Sequence, residues 1–195
     1  MKNILSLILA LTISLFASAE KKEKTEEKKD IYKSSTYSGL KWRNVGPALT
    51  SGRIADLAVN PNNPNQYYVA AASGGVWKTD NSGVTYKPIF DNQGSYSIGC
   101  VSIAPSNENI VWVGTGENNN QRSVAYGDGV YRSLDGGKSW KNMGLKKSEH
   151  IGKILIHPND PNKVYVAAYG PLWSAGGDRG LYVSNDGGEN WENVL

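Results

Sequence analysis

The chain has 195 residues, with 21 Lys and Arg against 18 Asp and Glu, a net charge of +3, one cysteine and two histidines. Its basic residues are scattered, with no arginine-rich stripe, so nucleic-acid binding gains no support. A single cysteine excludes an intramolecular disulfide and makes Cys100, set in an apolar strand pattern, a small core residue. His150 and His157 have no Cys or Glu partner at zinc spacing, so neither a metal nor another cofactor is expected.

The N-terminus carries an export pattern. Lys2 supplies the positive start, residues 4–16 form an apolar run broken only by Ser6, Thr12 and Ser14, and Ala17-Ser18-Ala19 offers the small residues a signal peptidase reads. At about 1.5 Å per residue this run is far shorter than the roughly 30 Å hydrocarbon core, so cleavage is favoured over anchoring. No cysteine follows it to take a lipid, and no later stretch approaches spanning length. Residues 1–19 are therefore expected to be a signal peptide, and the mature protein secreted, periplasmic or on the cell surface. Residues 20–30 are dense in Glu and Lys without an apolar side chain, a composition that cannot bury enough surface to fold. Residues 20–38 are expected to be a disordered linker.

The rest of the chain repeats itself three times. Ser133-Leu134-Asp135-Gly136-Gly137-Lys138-Ser139-Trp140 recurs as Ser184-Asn185-Asp186-Gly187-Gly188-Glu189-Asn190-Trp191, with a degenerate first copy, Thr79-Asp80-Asn81-Ser82-Gly83-Val84-Thr85-Tyr86. A Gly-apolar-aromatic step precedes each copy: Gly75-Val76-Trp77, Gly129-Val130-Tyr131 and Gly180-Leu181-Tyr182. Further upstream lies a Pro/Asn turn and then a β-rich run with an aromatic at a matching place: Tyr68, Trp112 and Tyr165. Each repeat reads as four strands, A to D. Strand A is expected over 53–59, 98–104 and 151–157, and strand B over 67–72, 110–115 and 164–169. Four strands in about fifty residues is the unit of a β-propeller blade, so the fold class is all-β, with three four-stranded antiparallel blades.

The octapeptide suits a tight C–D turn. Its first residue (Thr79, Ser133, Ser184) and third (Asn81, Asp135, Asp186) can accept turn N–H groups. The fifth (Gly83, Gly137, Gly188) can take positive φ. The eighth, Trp140 or Trp191, is an apolar plug expected to pack near the next blade. A calcium loop needs further oxygen ligands and a terminal Glu that are absent.

These octapeptides resemble the Asp box, or BNR repeat, of sialidases, sortilin-type receptors and xyloglucan-cleaving glycosidases. Gly52-Arg53-Ile54 with Asn60-Pro61, then Gly114-Thr115-Gly116-Glu117, then Ser-x-Asp-Gly-Gly, is similar to bacterial exported proteins of the sortilin N-terminal-domain kind, often labelled glycosyl hydrolase. The resemblance covers residues 39–195 and implies an Asp-box propeller. Trp42-Arg43-Asn44-Val45-Gly46 matches the D strands near Trp140 and Trp191, so the chain is expected to begin with an orphan outer strand. With three blades against the usual 4–8, the ring is expected to be incomplete, either as part of a longer chain whose remaining blades are its partners or as a unit that assembles with copies of itself.

Blade connectivity puts A–B turns and Asp boxes on one face, and B–C loops and D–A connections on the other. The second face carries the variable loops, residues 117–128 and 171–179, where binding is expected. Its candidate ligand-binding residues are Arg53, Arg122, Tyr126, Trp173 and Arg179, joined by Asp91 and Tyr96 of a D–A connection. The first functional reading, implied by the sortilin-type resemblance, is a non-catalytic module gripping a peptide or glycan. The alternative is a glycoside hydrolase of xyloglucanase or sialidase type, which needs two carboxylates. Glu117 is then the candidate acid and Asp128 or Asp178 its partner. Arg53-Ile54 partly resembles the Arg-Ile-Pro of sialidases, but Ala55 replaces the proline. A structural module in a secreted multidomain protein is a third reading.

Overall fold

Runs rich in Val, Ile, Tyr and Trp, punctuated by Pro/Asn and Gly-Gly turns, fold as twelve strands among the described residues, which are 33–41, 52–119 and 124–195 of a computed structural model. The chain divides into two units, Met1–Arg43 and Asn44–Leu195. In the first, the described regular element is one 3-10 turn, Ser34–Tyr37. The expected signal peptide, the charged run, the orphan strand around Trp42 and the candidate Arg122 lie outside the described residues.

The second unit holds three four-stranded antiparallel meanders. Blade 1 is β1 (Ile54–Val59), β2 (Tyr67–Ala71), β3 (Gly75–Thr79) and β4 (Lys87–Pro88). Blade 2 is β5 (Ile98–Ala104), β6 (Asn107–Thr115), β7 (Val130–Ser133) and β8 (Lys141–Asn142). Blade 3 is β9 (Ile151–His157), β10 (Asp160–Ala168), β11 (Gly180–Ser184) and β12 (Glu192–Asn193). β6 and β10 start earlier than the sequence suggests because Ala104 pairs with Asn107 and His157 with Asp160, leaving two-residue hairpin turns. In blade 1 the same turn is longer and closes with Asn60 N–H on Gln66 O at 3.0 Å.

The Asp boxes form the expected turn three times. Ser133 Oγ accepts the N–H groups of Asp135 and Gly137 at 3.2 and 2.8 Å. Asp135 Oδ1 in turn accepts Lys138 and Ser139 N–H, each at 2.9 Å. Ser184 and Asp186 repeat the pattern, as do Thr79 and Asn81. The fifth-position glycines need the left-handed region, with φ of 87°, 90° and 93°. Each box is tied to its own A–B hairpin by one backbone bond: Ser82 to Asn65 in the turn of blade 1, and Gly136 to Asn109 and Gly187 to Asn162 near the start of β6 and β10.

The plug points the other way from the sequence expectation. Trp140 of blade 2 donates its indole N–H to Ile89 O of blade 1 at 2.8 Å and meets Phe90 edge-on. Trp191 of blade 3 donates to Met143 O of blade 2 at 2.7 Å and meets Trp112 edge-on. The cause is the tight turn, which folds the eighth residue back over the face that strand B presents to the preceding blade.

Strand alternation sorts the core into two layers. Tyr68, Ala70 and Val76 pack against Val101, Val111 and Val113 between blades 1 and 2. Trp112, Val130 and Cys100 pack against Ile154, Val164 and Val166 between blades 2 and 3. The inner strands β1, β5 and β9 lie together. Ser102 Oγ donates to Ile154 O at 2.7 Å, and Lys153 Nζ reaches Asp56 at 3.1 Å. Cys100 is buried in this core, which pushes its thiol up to about 12 and leaves it an unreactive small hydrophobe.

Candidate functional site

Ile54, Ile98 and Ile151 open the three inner strands and pair with Ala71, Thr115 and Ala168. The residue before each, Arg53, Ser97 and His150, therefore holds one position in three blades, at the mouth where B–C loops and D–A connections meet. This common position builds the site. Arg53 forms an ion pair with Glu117, which is buried although it lies on the long B–C loop of blade 2. Asn119 presents its side-chain amide to the same guanidinium. Ser97 Oγ accepts Glu117 N–H at 2.9 Å and donates to Ala125 O at 2.8 Å, fixing the base of the loop.

His150, the third member, is fully buried, and neither ring nitrogen makes a well-formed hydrogen bond among the described residues. Burial holds its pKa below the usual 6.5, opposed by the Glu117 backbone and the charges of Glu149 and Glu117. The Tyr126 ring stands edge-on to it at 5.6 Å while remaining largely open to solvent. Asn118 joins the inner strands beneath the loop, its Nδ2 donating to Gly99 O at 3.1 Å and Gly152 O at 3.3 Å. A side chain at Gly99 would collide with Ile151 O, so β5 and β9 can approach this closely only with glycine there.

The other candidates are arranged differently. Asp128 turns inward: it accepts Thr115 Oγ1 at 3.2 Å and the Tyr131 hydroxyl, bracing the start of β7. Burial first, and the Asp128 hydrogen bond second, raise the Tyr131 phenol above 10.0. Asp178 accepts Lys147 N–H at 2.9 Å and ties the third B–C loop to a D–A connection. Arg179 is spent on Pro171 O and Ser174 O within its own loop. Trp173 is 64 % exposed, an open aromatic surface on the same face. Tyr96 is likewise exposed, and burial raises the Asp91 carboxyl above its ordinary value. The structure thus joins Arg53 to Glu117, leaves Tyr126, Trp173 and Tyr96 available to a ligand, and commits Asp128, Asp178 and Arg179 to holding loops. Sequence reasoning did not place His150 in the site; aligning the residue before each strand A would have found it.

Among the described residues no group of His, Cys, Asp and Glu is arranged to hold a metal ion, and no helix is long and apolar enough to cross a membrane. Three radial meanders whose inner strands lie together, with variable loops at one mouth, define part of a β-propeller. No model of a protein family matches the chain. It is 26% identical over 167 residues, 79% of this chain and 19% of the relative, to Xyloglucanase Xgh74A of Acetivibrio thermocellus. It is 25% identical over 130 residues, 60% of this chain and 15% of the relative, to a probable oligoxyloglucan-reducing end-specific xyloglucanase of Neosartorya fischeri. The chain thus spans less than a fifth of the length of these curated relatives. Among solved structures, an ancestral GH74 enzyme matches with a TM-score of 0.58 at 23% identity, over 75% of this chain and 19% of that one.

Proposed function

We propose that this chain is part of an exported propeller of glycoside-hydrolase type that takes a xyloglucan-like glucan at the mouth built by Arg53, Glu117, Tyr126 and Trp173. The observation that carries the reading is the likeness to xyloglucanases over most of the chain. The mouth supports it chemically. Tyr126 and Trp173 offer faces on which sugar rings stack, and Glu117 is a carboxylate held in place by Arg53 beside the inner strands. Hydrolysis needs a second carboxylate across the bond. Asp128 and Asp178 are occupied as loop braces, so this reading takes the second carboxylate from a further blade. Residues 1–19 then serve as the leader, 20–38 as the linker and 39–195 as the partial propeller, with turn chemistry of the Asp-box, sortilin-type kind.

A second reading, a non-catalytic module for glycan or peptide, is favoured by one observation: each candidate carboxylate is already engaged within the fold. One experiment addresses both. The chain is run through native gels with and without dissolved xyloglucan, and reducing-end release is assayed in parallel. Retardation by xyloglucan, weakened at least fivefold in Trp173→Ala and Tyr126→Ala, supports the glucan site. Reducing ends released by the chain and lost in Glu117→Gln make it catalytic on its own; retardation without release fits the binding module and equally a hydrolase part whose second carboxylate comes from a further blade, and release by the chain joined to that blade then separates the two. No retardation refutes xyloglucan as ligand.

A further inference from the structure

The long B–C loop of blade 2 is pinched at its base and seated on one turn of blade 3. A side chain added to Gly127 would strike the backbone of Thr115 and Gly116, so the two ends of the loop touch. Both ends also lean on the connection that leads into β9. Gly127 N–H donates to Glu149 O at 2.7 Å, and a side chain at Gly116 would meet Glu149 O and the His150 Cα. Between these glycines the loop carries Glu117 and Tyr126.

The seat is itself strained. His150 N–H donates to Ser148 O at 2.5 Å across Glu149, whose φ is 57°. A γ-turn with its middle residue in the left-handed region is rare and costly, and such strain collects where a protein switches. Ser148 and His150 are fully buried, and neither Ser148 Oγ nor either ring nitrogen of His150 has a well-formed hydrogen bond among the described residues. The 148–150 turn lies between blades 2 and 3, so its burial does not depend on what flanks the three blades.

We propose that His150 is a proton switch for this loop: the neutral ring lets the loop sit closed, and the imidazolium lifts it from the 148–150 turn and loosens Glu117 and Tyr126 at the mouth. An imidazolium carries two N–H donors and here meets no acceptor, whereas the neutral ring costs less to bury. The charges that bear on the ring are Glu149 from its own connection and Glu117 from the loop, and both favour the proton. Glu117 is already engaged by Arg53. The other neighbours bring no charge: Tyr126 stands edge-on at 5.6 Å, Tyr169 at the end of β10 donates its N–H to His150 O, and Gly116 follows β6. Burial outweighs the two carboxylates and holds the closed-state pKa below 6.5. The loop is the part that yields. Its described ties to blade 3 are the Gly127 bond and one from Asn118 Nδ2 to Gly152 O at 3.3 Å, while β9 is held by a ladder to β10. Lifting the loop gives both ring N–H groups water. The switch rests on the glucan reading only for what the mouth releases; the opening itself is read without a ligand.

The test is amide hydrogen exchange of the purified chain at pH 7.5, 6.5 and 5.5, corrected for the intrinsic pH dependence of exchange. It compares residues 116–127 with the inner strand 98–104. Opening should be flat above about 6.5, the value an open ring takes, and rise about tenfold per pH unit below it until the closed-state value is passed. In His157→Gln the chain keeps one histidine, so its NMR signal follows His150 alone. The expected result is a His150 midpoint below 6.5, loop exchange rising over the same range while 98–104 stays protected, and no rise in His150→Gln. Retardation by xyloglucan should weaken over that range in the parent chain and not in His150→Gln. A chain that xyloglucan never retards fails the glucan reading, and exchange then decides the switch by itself. A loop that keeps its protection below the His150 midpoint overturns the proposal, as does opening that persists in His150→Gln. Exchange that rises equally over 98–104 also overturns it, because the chain is then unfolding as a whole. If His150→Gln does not fold, the match between the His150 midpoint and loop opening in His157→Gln decides.

Discussion

Replacing Trp140 with alanine should cost the fold about 3–5 kcal/mol, the usual range for removing a packed Trp. Its ring sits 5.1 Å from Phe90 at 80° and its N–H holds Ile89 O, so the loss falls on both the blade 1–2 layer and one hydrogen bond. Trp140→Phe keeps the ring contact and loses the N–H, and should cost about 1–2 kcal/mol. Tyr86 holds the same position in the first repeat, but its ring stands edge-on to Tyr67 of its own blade and is 42% exposed. Tyr86→Ala should therefore cost about 0.5–1 kcal/mol. The three substitutions are compared by urea unfolding followed with far-UV circular dichroism. Equal losses for Tyr86→Ala and Trp140→Ala would refute the claim that the plug acts through the preceding blade.

Other outcomes follow from the same geometry. Because burial lowers the His150 pKa, the unfolded chain takes up a proton near pH 6.5 before the folded one does; this stability is complete above that pH and is lost as pH falls below it, at no more than about 1.4 kcal/mol per pH unit. Urea midpoints at pH 7.5, 6.5 and 5.5 should show the slope, and His150→Gln should flatten it. Hydrogen bonds led by Ser139 hold the Asp135 carboxyl down to about 2, and those led by Asn190 do the same for Asp186. Their contribution is therefore present above pH 3.8 and lost as pH falls towards 2. Asp135→Ala should cost about 1–3 kcal/mol at pH 7 and Asp186→Ala should destabilise in the same direction, both with xyloglucan retardation unchanged; lost retardation with an unchanged melting temperature would move the functional face to the Asp boxes. Mass spectrometry of the protein from its own host should find Glu20 as the first residue, and an intact Met1 on a cytoplasmic product would contradict export.

The blades were legible because their constraints are local. Ser133, Asp135 and Gly137 satisfy one another within five residues, so a turn of this kind leaves the same letters wherever it recurs. The pairing of Arg53 with Glu117 spans 64 positions and depends on how two blades lean together, which no local pattern encodes. The roles of Asp128 and Asp178 were equally hidden, since a carboxylate on a variable loop reads the same whether it faces a ligand or a backbone N–H. The direction of the Trp plug failed for another reason: the indole lies at a blade border, and only the fold of the turn decides which neighbour it meets.

The way the junctions are divided bears on how such a chain can grow. A segment running from the start of one strand A to the start of the next carries a donor side for the blade after it, as Tyr68 and Arg132 do, and an acceptor turn for the blade before it, as Gly136 and Gly187 do. Duplicating that segment in the gene would insert a blade that fits both neighbours at once, with no compensating change on either side. The limit on growth would then come from the crowded axis. Asn118 bridges Gly99 and Gly152, and the glycine at 99 permits close approach there, so an added blade would have to respect the spacing of the inner strands.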